Sequence, residues 1–327
     1  MKCRMEQRLH RDEGAGVIEM QLRVVAAALL VTLLALTACE SKAAAGSGSD
    51  SPATGSPSGT DAFTDSAYSP PYAVDGNGFD PANFGPDSAD IDNRYLPFEP
   101  GNQFVYEGSS VEEGERLPHQ VIFTVTDLTK VIAGVRTLVG WDRDLSDGVV
   151  REAELIFYAQ DKDGNVWHLG QYPEIYDEEQ FDGAAPWLVG YVDGAKAGIM
   201  MPAEPRLGDP TYSEGFAPPP YFWDDVAKVY KTGQQTCVPV DCYTDVLVTQ
   251  ESEPSKPGAF QLKFYAPGVG YVRVGWRGRN EEEREVLVLV ERRHLDADAM
   301  AEVRAEAFAM EARASVYGLT QPAEPRS

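Results

Sequence analysis

Apolar and polar residues alternate with a period of two through most of the chain after residue 100. Such alternation between turn residues is typical of β-strands with one buried face. Short connections favour antiparallel pairing, because parallel strands need long crossovers. The pattern predicts these strands: Gln103–Glu107, His119–Thr126, Val135–Trp141, Glu152–Ala159, Val166–Gln171, Trp187–Val192, Val226–Lys231, Tyr243–Gln250, Gln261–Tyr265, Tyr271–Trp276 and Glu285–Glu291.

So many strands cannot form one flat sheet, because open twisted sheets rarely exceed about ten strands. We therefore expect a mainly β fold over residues 101–318: a curled antiparallel sheet, or a partly open barrel or clamshell, with one C-terminal helix packed on it. The inward side of this sheet is predicted to include Phe157, Val246, Val248, Phe264 and Trp276.

The helix is predicted over His294–Tyr317, where the apolar period changes. Asp296 is a suitable N-cap, since its carboxylate can accept the free amides of the first turn. The buried stripe is predicted to be Met300, Val303, Ala307 and Met310. We expect residues 319–327 to form a disordered tail.

The N-terminal region carries an apolar run, Val24–Leu36, which is too short to span a bilayer and is typical of a secretory signal peptide. Leu36-Thr37-Ala38-Cys39 resembles the lipobox of bacterial lipoproteins. That resemblance implies a signal peptide over residues 1–38 and a lipid on Cys39 that tethers the protein to a membrane of the cell envelope, outside the cytoplasm. An ordinary signal peptide with a chance cysteine is the alternative.

Between the anchor and the sheet, residues 39–60 contain Ser, Gly, Ala and Pro without apolar periodicity, as in a flexible tether. Residues 61–100 mix Pro, Gly, Asp and isolated aromatics. We predict an extended arm that packs a few aromatic side chains against the sheet: Phe79, Phe84, Tyr95 and Phe98.

The charge of the chain excludes one class of partner. There are 52 Asp and Glu against 28 Lys and Arg, a net charge of −24. Such a surface repels the phosphate backbone, so we expect no nucleic-acid partner. Solubility in a salty habitat is the simpler explanation of the acidity. The oligomeric state stays open.

Two cysteines beyond the anchor, Cys237 and Cys242, lie five positions apart. In an oxidising compartment we expect them to form a disulfide. Half of a zinc site is the alternative, but His119, His168 and His294 are too scattered in the sequence to complete it. We therefore assign no metal.

No motif identifies an enzyme. Nucleophile elbows, zinc-protease helices and phosphate-binding loops are absent from the sequence, so we assign no catalytic residue and no cofactor. Oxygen-rich stretches at 142–147 and 161–165 do not fit a calcium loop, and weak calcium binding stays a minor alternative. A carboxylate-based hydrolase also stays open.

Aromatic residues are concentrated in two segments predicted to be long loops, 172–186 and 202–224. One helix covers only part of a large sheet, so these loops are the available cover for its remaining apolar face. We predict a pocket lined by Trp187, Tyr221 and Trp223 that accepts a small molecule or lipid-like ligand. Ordinary core packing of these aromatics is the alternative.

Four stretches, in order, resemble a family of uncharacterised secreted or lipid-anchored bacterial proteins: Asn93–Gly108, Phe157–Tyr172, Gly198–Tyr212 and Lys263–Val274. The resemblance implies an envelope location and brings no catalytic residues. The curled sheet with its helix is also similar to the clamshell of Lol-type lipoprotein carriers, as a likeness of fold only. We expect a non-enzymatic ligand-binding lipoprotein, with an interaction or structural lipoprotein and a hydrolase as alternatives.

Overall fold

One antiparallel sheet of 16 strands dominates the fold. The computed structural model describes residues 78–112, 114–177, 180–314 and 320–326, all within one unit, residues 71–327. The strands are β1 Asn102–Glu112, β2 Glu115–Ile132, β3 Val135–Ser146, β4 Val149–Gln160, β5 Val166–Asp177, β6 Gln180–Ala184, β7 Trp187–Leu188, β8 Lys196–Met201, β9 Tyr212–Ser213, β10 Gly215–Phe216, β11 Val226–Cys237, β12 Cys242–Ser252, β13 Phe260–Ala266, β14 Gly270–Arg277, β15 Val286–His294 and β16 Glu324–Pro325. A 3-10 turn, Pro81–Asn83, precedes them, and the helix α1, Ala297–Arg313, lies between β15 and β16.

The sheet curls until its two ends meet. Neighbouring strands follow the order β10-β8-β5-β4-β3-β2-β1-β15-β14-β13-β12-β11-β9, with β6 and β7 beside β5 and β16 beside β2. The end strands β9 and β10 are separated in the chain by Glu214 alone. A seam at Glu214 therefore joins the two edges, and the predicted curled antiparallel sheet with one C-terminal helix is confirmed.

Tight hairpin turns begin the pairing of the strands that matter most for the interior, and β-bulges farther along β2–β3 and β3–β4 then shift its register. Two residues, Ala133-Gly134, connect β2 to β3, and Asp147-Gly148 connect β3 to β4. All four have positive φ, between 49° and 81°. This is the backbone of a primed hairpin turn, whose twist matches that of the strands, and glycine adopts it without steric cost.

The two faces of the sheet bury two separate apolar clusters. The interior cluster lies inside the curl and includes Phe104, Phe123, Ile156, Tyr265 and Leu289. The helix-side cluster lies on the other face and includes Leu128, Val139, Phe157, Trp167 and Met300. Successive residues of β4 alternate between them, because side chains of a strand point to opposite faces.

Helix α1 covers the helix-side cluster, as predicted. Asp296 is its N-cap and accepts a hydrogen bond from the amide of Ala299 at 2.9 Å. The predicted stripe is buried: Met300, Val303, Ala307 and Met310. Two ion pairs hold the helix to the sheet: the buried Lys130 with Glu311 at 2.5 Å, and the half-exposed Arg313 with the buried Glu174 at 2.8 Å.

Two expectations about individual segments are wrong. Residues 320–326 are not a disordered tail, because β16 pairs with Leu128 and Thr129 of β2 and the amide of Ala323 donates to Glu311. Segment 172–186 is not a loop but mostly strand, since β5 and β6 pair across it.

Two predicted inward residues also lie elsewhere. Phe157 belongs to the helix-side cluster, and Trp276 is 39% exposed. Val246 and Phe264 do contribute to the interior cluster, Val246 buried and Phe264 packed against it.

The predicted disulfide is confirmed: Cys237 and Cys242 are bonded across the end of the β11–β12 hairpin. The aromatic residues before β1 pack on the sheet as expected, with Phe79 and Phe84 against Trp167 and Phe98 against Tyr158. The signal peptide, Cys39 and the tether lie outside the described residues. No helix in the described ranges is long and apolar enough to cross a membrane.

Candidate functional site

A cavity of about 230 Å³ lies inside the curled sheet. Strands from both halves of the sheet line it, β2 to β5 on one side and β13 to β15 on the other. Protein interiors are normally packed with few voids larger than a water molecule. An open interior of this volume is therefore the feature of the fold that most needs an explanation.

One wall of the cavity is apolar and rich in aromatic rings. Phe98 contacts Phe123 and Tyr158, with ring centroids 5.3 Å and 4.8 Å apart. Tyr271 lies beside Tyr265 at 6.3 Å. Other apolar lining residues are Leu96, Val121, Ile156, Met200, Val274 and Leu287. Rings of this kind can hold an apolar body or the face of a cation.

A second part of the cavity lining, the acidic wall, is formed by β3 and β4. Asp142 and Asp144 alternate on β3, and Glu152 and Glu154 alternate on β4. The strand register places Asp142 opposite Glu154 and Asp144 opposite Glu152. Directly opposite residues have Cβ atoms about 5 Å apart, so each pair juxtaposes two like charges. Asp142, Asp144 and Glu154 line the cavity itself.

Burial and mutual repulsion raise the pKa of these carboxyl groups. Burial, with a further contribution from Asp144, raises the pKa of Asp142 to about 7. Burial and the charges of Asp144 and Asp142 raise the pKa of Glu152 to about 7. Burial and the charge of Glu152 raise the pKa of Glu154 well above its ordinary value. Near neutral pH some carboxyl groups of this wall are therefore protonated and others are ionised.

One of the four acidic residues has a cationic partner. His119 Nε2 lies 2.8 Å from Asp144 Oδ1, and its Nδ1 lies 3.1 Å from Glu285 Oε1. Burial lowers the pKa of His119, but the contacts with these two carboxylates outweigh burial and raise it to about 10. His119 is therefore charged at neutral pH and is neutralised by Asp144 and Glu285.

A lysine lies on the other side of the cavity. Lys263 on β13 contacts Glu251 Oε2 at 2.6 Å. Burial lowers the pKa of Lys263, whereas the carboxylates of Glu251 and Glu214 raise it, with a net increase. Its charge is thus already balanced by Glu251. Glu214 at the seam is 2% exposed, and burial followed by the charge of Glu251 raises its pKa well above the ordinary value.

Of the three predicted pocket residues, the structure places Trp223 in the lining of this cavity, Trp187 beside Trp223, and Tyr221 elsewhere. Trp223 lines it, and its ring lies 6.2 Å from that of Trp187. Trp187 is 1% exposed and contacts His168, a lining residue, at 4.9 Å. Tyr221 packs against the helix-side cluster and does not line the cavity. Ligand contact by these residues stays a prediction.

Trp223 is positioned by the segment after the seam. Ala217 and Trp223 exchange backbone hydrogen bonds of 2.7 Å and 3.1 Å, which close a loop over Pro218–Phe222. Glycine is required nearby, because a Cβ at Gly198 would lie 2.0 Å from the amide of Gly215. This close approach lets β8 pack directly on the seam beneath the two tryptophans.

The acidic wall was missed by the sequence-based site prediction. Asp142 and Asp144 were considered together with Asp147 as an oxygen-rich turn, whereas the first two belong to β3. At 161–165 the oxygens of Asp161 accept hydrogen bonds from Asn165 and Trp167. The alternation of acids on two consecutive strands was visible in the sequence, but the β-bulge that brings both sets to one face was not. Among the described residues, no group of three acids, histidines or cysteines could hold a metal ion.

Comparison with known proteins adds little to this picture. No family model matches the chain, and no curated protein matches it. A crystal structure assigned as an exported protein with a YmcC-like fold, from Bacteroides fragilis, matches with 14% identity and a TM-score of 0.36. One assigned as a lipoprotein from Parabacteroides distasonis matches with 11% identity and a TM-score of 0.33. Each covers 62% of this chain and 99% of its own. Likenesses this weak support no conclusion about function.

Proposed function

We propose that the protein is a lipid-anchored envelope protein that binds a small ligand inside its curled sheet without acting on it chemically. The cavity of about 230 Å³ carries the proposal. Empty interior volume and unpaired buried polar groups both reduce the stability of a fold. A bound ligand that fills the space and pairs those groups removes both costs.

The anchor rests on the lipobox at Leu36–Cys39. A lipid on Cys39, followed by a polar tether, would keep the sheet at a membrane without any spanning helix. The Cys237–Cys242 disulfide agrees with an oxidising compartment outside the cytoplasm.

The volume of the cavity limits the ligand to a small one. Sites for drug-sized molecules usually occupy about 300–1,000 Å³. A cavity of about 230 Å³ is smaller than that and is too small for a diacyl lipid. We therefore propose a compact ligand rather than a lipid as cargo.

A carboxylate-based hydrolase is the second candidate, because Asp142 and Glu154 face each other across two strands. Catalysis by a carboxyl pair generally needs their pKa values driven apart, so that one group donates a proton while the other stays ionised. Here burial raises the pKa of both groups. No direct ion pair with a described cation holds either group in the ionised form that a nucleophile or base needs, and this favours binding over hydrolysis.

Native mass spectrometry of the protein purified from its own envelope tests the function. We expect a small molecule to accompany the wild type in a one-to-one ratio. Val274→Phe, which fills the cavity, should lose it, while Val240→Phe, at an exposed turn, should retain it. Thermal denaturation checks that both variants fold. Equal occupancy in both variants, or none in the wild type, contradicts the proposal.

A further inference from the structure

The cavity contains three hydrogen-bond acceptors that lack donors. Asp142 Oδ1, Glu154 Oε2 and His168 Nε2 have no hydrogen-bond partner among the described residues. All three residues line the cavity, and His168 is 1% exposed. One donor in the lining, Trp223 Nε1 beside His168, also has no partner. Buried polar groups are nearly always paired, so these atoms indicate what the natural occupant supplies.

The protonation of His168 determines which partner its Nε2 needs. Its Nδ1 lies 3.1 Å from the carbonyl oxygen of Glu214, which can only accept a hydrogen bond. Nδ1 must therefore be the donor. Burial lowers the pKa of His168 to about 4, so the ring is neutral and Nε2 is left without a proton. Nε2 can only accept, and its partner must be an N–H or O–H group.

The charges around the cavity do not balance. Glu251 pairs with Lys263, and Asp144 and Glu285 pair with His119. Asp142 and Glu154 form no direct ion pair with any described residue, and the charges of Lys263 on both and of Arg143 on Asp142 act on them without such a contact. A buried pair of like charges is unfavourable unless a proton or a cation lies between them. The missing charge at this position is positive.

The aromatic wall favours an organic cation over a bare ion. Tyr158, on the same face of β4 as Glu154 and four residues away, lies opposite His168. Four residues of strand span roughly 13 Å, which sets the scale of the separation between Glu154 and His168. Between them the lining is apolar, formed by Ile156 and the rings around Phe98.

We propose that the occupant is a small organic cation whose ammonium or amidinium group binds between Asp142 and Glu154, whose apolar body lies against the aromatic wall, and whose far end donates a hydrogen bond to His168 Nε2. This ligand class rests on the proposed binding function. The raised pKa of both carboxyl groups agrees with it, because a cation supplies the charge that protons supply in its absence.

Isothermal titration with four molecules of one shape tests the class. Tyramine carries the ammonium group and a phenolic donor, para-ethylphenol lacks the charge, para-hydroxyphenylpropionate reverses it, and phenethylamine lacks the donor. We expect saturable binding of tyramine at pH 8, weaker binding of phenethylamine, and about ten- to hundredfold weaker binding of the uncharged and anionic analogues.

Variants then locate the site. Glu154→Gln and Asp142→Asn should each weaken tyramine binding about tenfold or more, and the exposed Asp147→Asn should not change it. Equal binding of the neutral or anionic analogue overturns the cation proposal but leaves a ligand-binding function standing. Absence of saturable binding by all four overturns the cation proposal as well, while a molecule found with the purified protein would still support the function.

Discussion

Asp142 on β3 and Glu154 on β4 lie directly opposite each other and face the same cavity, and neither is paired with a cation among the described residues. The hairpin turn Asp147-Gly148 joins the two strands, and a β-bulge between Asp144 and Leu145 shifts their register by one residue, so that Asp142 faces Glu154. Two acids in this position destabilise the empty fold when both are ionised. Their behaviour with pH and with ligand is therefore the most direct test of the site.

Stability of the ligand-free protein should decrease from about pH 5 to about pH 8. The pKa values of Asp142, Glu152 and Asp225 are raised to about 7, so the folded state binds more protons than the unfolded state between about pH 4 and pH 7. Stability then falls as pH rises through this window. His168, whose pKa is lowered to about 4, acts in the opposite direction below about pH 6.5, but it is a single group. Chemical denaturation at several pH values measures the trend.

A substitution isolates the contribution of the acidic wall to this pH dependence. Asp142 forms no ion pair with a cation among the described residues. The charged groups near it are Asp144, Glu152, Glu154 and Lys263. Asp142→Asn should stabilise the protein at pH 8 by about 1 kcal/mol or more and flatten its pH profile. Asp147→Asn, in the exposed turn, is the control. A steeper profile in Asp142→Asn would show that other groups cause the dependence.

Glu174→Gln should weaken the attachment of helix α1. The buried Glu174 carboxylate accepts two hydrogen bonds of 2.8 Å from Arg313 and one each from Tyr172 and Tyr176. The amide removes the charge and one acceptor, at a cost of about 2 kcal/mol. The free energy of unfolding measures this loss. Glu302→Gln, an exposed change on the same helix, should have no comparable effect.

Cys39→Ala should release the protein from membranes, because the proposed lipid on this thiol is its attachment. Fractionation of cells followed by detection of the protein in the soluble envelope fraction measures the release. A Ser41→Ala variant serves as the control. The lipobox interpretation is abandoned if Cys39→Ala stays fully in the membrane fraction.

The Cys237–Cys242 disulfide should be present in protein from its native compartment and should stabilise the fold modestly. It closes a short loop at a hairpin end, for which chain entropy gives about 2 kcal/mol. Mass spectrometry under non-reducing conditions detects the bond, and unfolding of the Cys237→Ser/Cys242→Ser variant measures its contribution. Two free thiols in native protein contradict the assignment.

Trp223→Ala should reduce binding of an apolar fluorescent dye, since this ring lines one end of the cavity and covers His168. Trp276→Ala is the matched control, because Trp276 is partly exposed and does not line the cavity. Fluorescence titration compares the two variants with wild type. Equal, non-saturable signals for all three would count against a site at this end of the cavity.

The local features of the chain could be predicted from sequence because each depends on neighbouring residues. Alternation over β2, β4 and β12 reflects the period of a strand, and the stripe from Met300 to Met310 reflects the period of a helix. The N-cap at Asp296 and the disulfide at Cys237 are equally local. The lipobox at Cys39 is a local pattern as well.

Only the tertiary structure decided which face of each strand points inward. The alternation of β4 is compatible with either face, and Phe157 was predicted inward although the interior contains Ile156 and Tyr158. A shift of one residue in register exchanges the two faces of a strand, and the β4–β5 pairing is irregular between Ile156 and Tyr158.

The cavity and the seam at Glu214 share one cause. Each requires strands far apart in the chain to meet, β3 and β4 with β13 and β14, when the sheet curls. The alternation of apolar and polar residues shows which residues of a strand share a face. It does not show which residues of distant strands lie on the other side of a closed interior. For this reason the sequence predicted the strands, the helix and the anchor, whereas the acidic wall and its missing cation emerged only from the fold.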